Sequence, residues 1–191
     1  MNKTYFISCE YLKENSTINN NVDNNLLNNA IWEAQSIHIQ QQTGTKLYKK
    51  IVELIESGEI TFTQYKDYKE LLDDYIRPCC VYWAWYESIP YISFKIVNKG
   101  VELQSSDYSN NTAMEQMEYL RDDIRNKAEF YSQRLTDYLC TNKSKYPELL
   151  QNNKTDELHP TANQYFSGIQ FDCGYTHCNY GYPHCSKDLL H

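Results

Sequence analysis

Glycine and proline are scarce in this chain, whose 191 residues include 6 glycines and 5 prolines. These two residues are the ones that most readily end or bend helices and strands, so long regular elements are expected. A chain of this length is long enough for one hydrophobic core and marginal for two. The composition therefore favours one main domain built from long elements.

Long apolar runs are also missing. No stretch approaches the roughly 20 apolar residues that a membrane-spanning helix needs. The first residues, MNKTYFISCEYL, lack the charged-then-apolar layout of a signal peptide. We therefore expect a soluble protein that has no membrane partner and does not follow the usual export route.

The sequence contains none of the familiar motifs of enzyme active sites. There is no G-x-S-x-G, Walker loop, dinucleotide glycine motif or HExxH. The adjacent acids Asp73-Asp74 and Asp122-Asp123 point to different sides of their helices, so neither pair forms a site unaided. His38 has no recognisable acid–base partner nearby and is interpreted as a helix-face residue. We expect no enzymatic activity and no cofactor.

Basic residues are not concentrated anywhere, and the chain carries a net charge of -7. The densest basic cluster is small and consists of Lys46, Lys49 and Lys50. Proteins that grip DNA use clustered lysine and arginine to neutralise phosphates. Tight or sequence-specific DNA binding is therefore not expected, whereas a weakly acidic wall would let DNA slide past.

Tyrosine, by contrast, is abundant, with 18 copies. An apolar stripe with alternating steps of four and three residues lies on one helical face and keeps its phase past Pro78. This pattern predicts one long helix, kinked at the proline. The members of the stripe are Tyr68, Leu72, Tyr75, Cys79, Tyr82, Tyr86 and Ile89. A capping box, Thr61-x-x-Gln64, is expected to open this helix.

The period changes from helical to alternating after Pro90. Ile92, Phe94 and Ile96 alternate with other residues, Asn98-Lys99-Gly100 provides a turn, and the alternation resumes beyond it. This pattern predicts a short β-hairpin near residues 91–105. Its apolar residues are candidate contacts with a subunit or partner: Tyr91, Phe94, Ile96, Val101 and Leu103.

Two further helices are predicted before the kinked one. Asp23 is a candidate N-cap for a helix that ends near Gly44. Its predicted inward face consists of Leu27, Ala30, Ile31, Ala34, Ile37 and His38. The next helix, from Lys46 to Ser57, is expected to end at Gly58 and to turn inward Leu47, Ile51, Leu54 and Ile55.

The last predicted helix is the longest. Thr112-x-x-Glu115 is a second capping box, and a helix from Thr112 to Cys140 would be about 43 Å long. Its predicted inward residues are Met117, Leu120, Ile124, Ala128, Tyr131, Leu135 and Tyr138. A compact four-helix core cannot cover such a helix completely, so either neighbouring subunits cover it or it protrudes.

Helical periodicity is lost after residue 150, although aromatic residues continue. Residues 151–191 are interpreted as an extended arm that orders against a partner, with a tail wrapped over its own bundle as the alternative. The arm's candidate contact residues are Tyr165, Phe166, Phe171, Tyr175, Tyr180 and Tyr182. Such anchors suit pockets on another chain, where a few buried aromatics supply most of the binding energy.

Seven cysteines are distributed in two groups. Cys9, Cys79, Cys80 and Cys140 are expected to behave as small core hydrophobes, reduced in a cytoplasm. The others lie in the tail, where thiolates and imidazoles are possible zinc ligands: Cys173, His177, Cys178, His184 and Cys185. Their spacing is not that of paired CxxC knuckles, so no metal site is assigned and metal binding remains an alternative.

Several of these segments recur together in one known family. They are Gly44-Thr45-x-Leu47-Tyr48, Tyr75-Ile76-x-Pro78, Ser93-Phe94-Lys95-Ile96-x-Asn98-Lys99-Gly100-Val101, Ala128-Glu129-x-Tyr131-x-x-Arg134-Leu135 and Tyr146-Pro147-Glu148. In this order they resemble the head-to-tail connector (adaptor) proteins of tailed bacteriophages, most closely those of crAss-like phages. The resemblance covers roughly the first three quarters of the chain and stops near Thr155.

The resemblance implies a structural protein of the virion neck, assembled in the host cytoplasm. Such a protein forms a ring, expected to be twelvefold, that binds the portal, extends the DNA channel and supports the next neck or tail protein. The expected fold is a mainly α bundle of about four main helices over residues 1–150, with the hairpin and the arm. A small Cys/His-tail metal-binding regulatory module is the alternative from another class, and a stopper lower in the neck is a third.

Overall fold

The computed structural model describes residues 3–97, 100–103 and 114–150, together with Leu158 and Pro160. This part of the chain is mainly helical, which confirms the prediction of a mainly α bundle. Its α-helices are α1 (Cys9–Glu14), α2 (Asn24–Glu33), α3 (Gln40–Glu56), α4 (Lys66–Leu71), α5 (Arg77–Ser93) and α6 (Met114–Thr141). Two π-helical segments, Ala34–Ile39 and Leu72–Ile76, join α2 to α3 and α4 to α5.

The first long helical region begins as predicted but buries a different face in its middle. Asp23 caps α2, since its carboxylate accepts a hydrogen bond from the Asn25 amide at 2.9 Å. Ile37, predicted to face inward, is 52% exposed, whereas Gln35 and Ile39 are fully buried. The π-helical segment explains this error, because its wider turn rotates the inward face relative to a regular α-helix.

The second predicted helix matches the structure closely. Leu47, Ile51 and Leu54 are fully buried on the inward side of α3. The backbone turns sharply at Gly44, at φ 74° and ψ 159°, and Gly58 follows the end of α3 at φ 73°. Both glycines therefore lie where the chain leaves helical geometry. The short helix α1, in contrast, was not predicted.

The aromatic helix is continuous across Pro78, as predicted. Helical residues run without a gap from Lys66 through the π-helical segment to Ser93. Proline lacks an amide proton, so Pro78 leaves one helical hydrogen bond unmade inside this continuous run. The Thr61 capping box is wrong, because two 3₁₀ turns precede α4 and the Thr61 hydroxyl donates to the Gly58 carbonyl at 3.0 Å.

Two short strands follow α5. Strand β1 (Phe94–Val97) pairs antiparallel with β2 (Gly100–Leu103), with Phe94 opposite Leu103 and Ile96 opposite Val101. The alternation was predicted to begin directly after Pro90, but α5 continues to Ser93. Tyr91 consequently belongs to the last turn of the helix. Pro90 lies inside α5, where its lack of an amide proton removes one hydrogen bond from the last turn.

Helix α6 has 28 residues and is about 42 Å long. From its third turn onward it is buried through Ile124, Ala128, Leu135 and Leu139. Leu120, predicted to face inward, is 45% exposed. The neighbouring Arg121 packs on α5 instead, with its guanidinium 4.3 Å from the centre of the Tyr86 ring. The proposed start at Thr112 lies outside the described residues.

Three of the four cysteines expected in the bundle, Cys9, Cys79 and Cys80, are free and buried. Burial raises the pKa of the Cys79 thiol to about 12, so it stays protonated and unreactive at neutral pH. Cys140, half-buried near the end of α6, takes part in a disulfide, contrary to the expectation of reduced thiols.

Within the described residues, no helix combines the length and the apolarity that crossing a membrane requires.

Replacing Gly58 tests the left-handed turn that ends α3. An added Cβ would meet no atom within 4 Å, so steric crowding does not enter. We expect Gly58→Ala to lower the free energy of unfolding by about 1–2 kcal/mol, the cost of left-handed backbone for an L-residue. Gly58→Asn, whose side chain tolerates this conformation, should cost less. Urea unfolding of both variants would check the order, and equal losses would contradict it.

Candidate functional site

An aromatic stripe on the outer side of α6 is the most exposed apolar feature of the bundle. Tyr119 is 78% exposed and Phe130 is 65% exposed, with Leu120 and Tyr131 directly beside them. Eleven residues are close to three helical turns, so the two pairs lie on the same side of the helix, about 16 Å apart. We call these four residues the α6 stripe.

The end of the α6 stripe that contains Phe130 and Tyr131 is supported by aromatic rings from α5. Tyr131 stacks on Tyr82 with ring centroids 4.8 Å apart, and Phe130 meets Tyr131 edge-on at 5.4 Å. Trp85 lies next to Tyr82 at 6.3 Å. Offset stacking and edge-on contacts are the favourable arrangements of aromatic rings. The outward rings are therefore held in place before any partner arrives.

An ion pair lies between the two ends of the α6 stripe. Lys127 donates to Asp123 at 2.6 Å, one helical turn away. Arg125 and Asp122 are 3.7 Å apart. Such exposed pairs contribute little to helix stability. Their charges nevertheless define the polar middle of an otherwise apolar surface.

Tyr91 is the predicted contact residue whose side chain the structure describes. It is 37% exposed at the end of α5, and its hydroxyl donates to both carboxylate oxygens of Glu33, at 2.7 and 2.9 Å. The hydrogen bond to Glu33 and partial burial raise the pKa of Tyr91 to about 12. Tyr91 therefore ties α5 to α2 while its ring edge remains accessible.

The other predicted contact residues divide into two groups. Phe94, Ile96, Val101 and Leu103 occupy paired positions of the two strands. The aromatic residues of the arm, and the candidate zinc ligands of the tail, lie outside the described residues. Within the described ranges, no group of three or more His, Cys, Asp and Glu side chains is arranged to hold a metal ion.

A buried contact between His38 and Glu87 is the feature that the sequence did not reveal. His38 lies 2.9 Å from the carboxylate of Glu87 and stacks on Trp83, with ring centroids 3.6 Å apart. The indole of Trp83 donates to the hydroxyl of Ser132 at 2.8 Å. No local pattern links His38 to Glu87, because 49 residues separate them. His38 is 6% exposed, so this group joins three helices inside the core.

A shallow cavity of about 500 Å³ lies between residues 5–11 and the helices α2 and α5. Its polar groups largely satisfy one another. Arg77 donates to the Phe6 carbonyl at 3.1 Å and to Asp73 at 2.5 Å, and the Cys9 thiol donates to Asn28 at 3.0 Å. Nothing in this arrangement resembles a paired nucleophile and base, so the cavity supports no specific chemistry.

The beginning of the C-terminal segment contacts the bundle itself. The Thr45 amide donates to the Leu158 carbonyl at 3.0 Å, and the Leu158 amide donates to the Thr45 hydroxyl at 2.8 Å. Pro160 is buried. We predicted that residues from about Thr155 make most of their contacts with another chain, and these two residues instead contact their own bundle.

Comparison with known proteins gives one family match. A model described as a family of unknown function, DUF6712, matches residues 39–157, which is more than half of the chain. The matched range includes α3 to α6 and therefore the α6 stripe and its supporting rings. No curated protein and no solved structure matches the chain.

The Glu33–Tyr91 contact predicts a pH effect. Because the folded chain holds the Tyr91 proton more tightly than the unfolded chain, this contribution to stability is present below about pH 10 and is lost as the pH rises towards 12. Ultraviolet difference titration of the full chain against Tyr91→Phe isolates the phenol. We expect Glu33→Gln to lower its midpoint, while Glu118→Gln on an exposed turn of α6 leaves it in place. An unchanged midpoint in Glu33→Gln would refute the assignment.

Proposed function

The chain belongs to the DUF6712 family, and we propose that it acts as a head-to-tail connector in the neck of a tailed bacteriophage. In this proposal, copies of the chain form a ring, expected to be twelvefold, below the portal. The ring extends the DNA channel and provides the platform for the next neck or tail protein. Its work is done by protein interfaces in the virion, without catalysis.

The observation that carries this proposal is the α6 stripe. Tyr119, Leu120 and Phe130 are all at least 45% exposed on one side of a single helix. Soluble monomers rarely leave extended apolar surface open to water, and such surface marks sites of association. A neighbouring subunit would cover this surface.

Ring closure places a geometric demand on the surface. Each subunit needs two different, complementary faces, because a heterologous contact must repeat around the axis. We assign the α6 stripe to one face. The end of α5 with Tyr91, together with the paired strands, is assigned to the other, because the predicted contact residues of the hairpin lie there.

The aromatic packing suits a strong contact. Interface energy concentrates in a few aromatic anchors. Phe130 and Tyr131 are already oriented by Tyr82. Association therefore costs less side-chain entropy than it would for freely rotating rings. The charge also fits a conduit, since a chain of net charge -7 would repel DNA rather than bind it.

The experiment is assembly with the cognate portal protein. Purified full-length chain would be mixed with portal, and rings would be counted by native mass measurement and particle imaging. We expect Tyr119→Ser and Phe130→Ser each to reduce ring formation by about tenfold or more, as loss of an anchor residue does. Circular dichroism should remain unchanged, because both side chains point away from the core.

Phe62→Ser is the matched control. Phe62 is 54% exposed and lies in the segment between α3 and α4, which is not part of the α6 stripe. Replacing it with serine removes about as much exposed apolar surface as Phe130→Ser does. We expect this variant to assemble normally. If Phe62→Ser and Phe130→Ser reduced ring formation equally, the α6 stripe would not be part of the subunit interface. Absence of the chain from the neck of its phage would end the proposal as a whole.

A further inference from the structure

The helix break at Gly44 has a geometry that a glycine alone adopts readily. At φ 74° and ψ 159°, its backbone lies in a region that side chains of L-residues make very costly. The break is buried, as are the flanking residues Thr43 and Thr45. A buried backbone amide needs a hydrogen-bond partner, so a helix that breaks inside the molecule requires something to complete it.

Leu158 completes the break through its backbone. One hydrogen bond runs from the Thr45 amide to the Leu158 carbonyl, at 3.0 Å, and one returns from the Leu158 amide to the Thr45 hydroxyl, at 2.8 Å. The side-chain amide of Gln40 donates a second hydrogen bond to the same hydroxyl, at 3.2 Å. The Thr45 hydroxyl is therefore oriented by the bundle to accept from an incoming chain.

The neighbouring threonine shows that this arrangement is specific. The Thr43 hydroxyl donates to the Ile39 carbonyl at 2.9 Å, which is the ordinary bond of a threonine within a helix. Thr45 makes no such internal bond in the described structure and instead pairs with a residue 113 positions away. The Leu158 side chain is 47% exposed, so the contact depends on its backbone groups.

We propose that the break at Gly44 is a docking site for a peptide backbone, and that its occupant is the chain's own Leu158. Docking completes the hydrogen bonding of the helix break and ties Leu158 to α3. The site recognises one backbone amide and one backbone carbonyl. This inference does not depend on the proposed function.

Hydrogen exchange in the full-length chain tests the docking site. Thr45→Val keeps the shape of the side chain but removes the hydroxyl that accepts from Leu158. We expect the Leu158 amide, measured by NMR, to exchange at least about tenfold faster in this variant, as loss of one hydrogen bond allows. Thr43→Val, the matched control, should leave that rate unchanged. An unprotected Leu158 amide in the native chain, or equal rates in Thr45→Val and the native chain, would overturn the proposal.

A cleavage experiment tests the site without depending on one hydroxyl. Residues 151–157 would be replaced by a seven-residue site for a sequence-specific protease, and the folded chain would be cut under reducing conditions, so that no disulfide joins the pieces. We expect the C-terminal fragment to remain bound to the bundle and the Thr45 amide to remain protected. Gly44→Ala, which disfavours the break, should release the fragment. Release without the substitution, or retention in spite of it, would refute docking at Gly44.

Discussion

The placement of α5 between two layers is the constraint on which the rest of the structure depends. It packs against α2 and the first π-helical segment on one side and against α6 on the other. Trp83 contacts both sides, since its ring stacks on His38 and its indole nitrogen donates to Ser132. A helix buried on both sides must be apolar over most of its surface, which explains why Cys80, Val81 and Ala84 are buried beside the predicted stripe.

This central packing also determines which surfaces are left for partners. α6 is held against α5 from Arg121, whose guanidinium lies over the Tyr86 ring, to Ser132, which accepts a hydrogen bond from Trp83. Tyr82 belongs to α5, and its ring stacks on Tyr131 at the edge of the contact between α5 and α6. Phe130 therefore rests on a rigid support, and it is exposed because it lies on the side of α6 that faces away from α5.

Periodicity predicted the elements well where a helix is regular and one of its sides faces water. Leu47, Ile51 and Leu54 of α3 were found in this way, as was the turn at Gly58. Ile37 was misplaced because a π-helical turn changes the period, and nothing in the local sequence marks that turn. Leu120 was misplaced because periodicity shows which residues share a face, but not whether anything covers it.

The candidate sites were harder to predict for a related reason. The contacts of His38 with Glu87 and of Thr45 with Leu158 join residues 49 and 113 positions apart, and no local motif records such a distance. Exposure of Tyr119 and Phe130 likewise depends on the position of α5 and not on the residues beside them. Sequence spacing did not single out Tyr119 or Phe130 as contact residues, because the tertiary packing decides which side of α6 faces outward.

Docking of Leu158, as proposed above, bears on how the C-terminal segment would take part in assembly. An attachment at Thr45 would give that segment the same origin on α3 in every copy of the chain. In the proposed ring, contacts of the segment and contacts of the α6 stripe would then reinforce each other. Two weak interfaces joined in one subunit bind far more tightly than either alone, so a small chain with modest contacts would be held firmly in a large assembly.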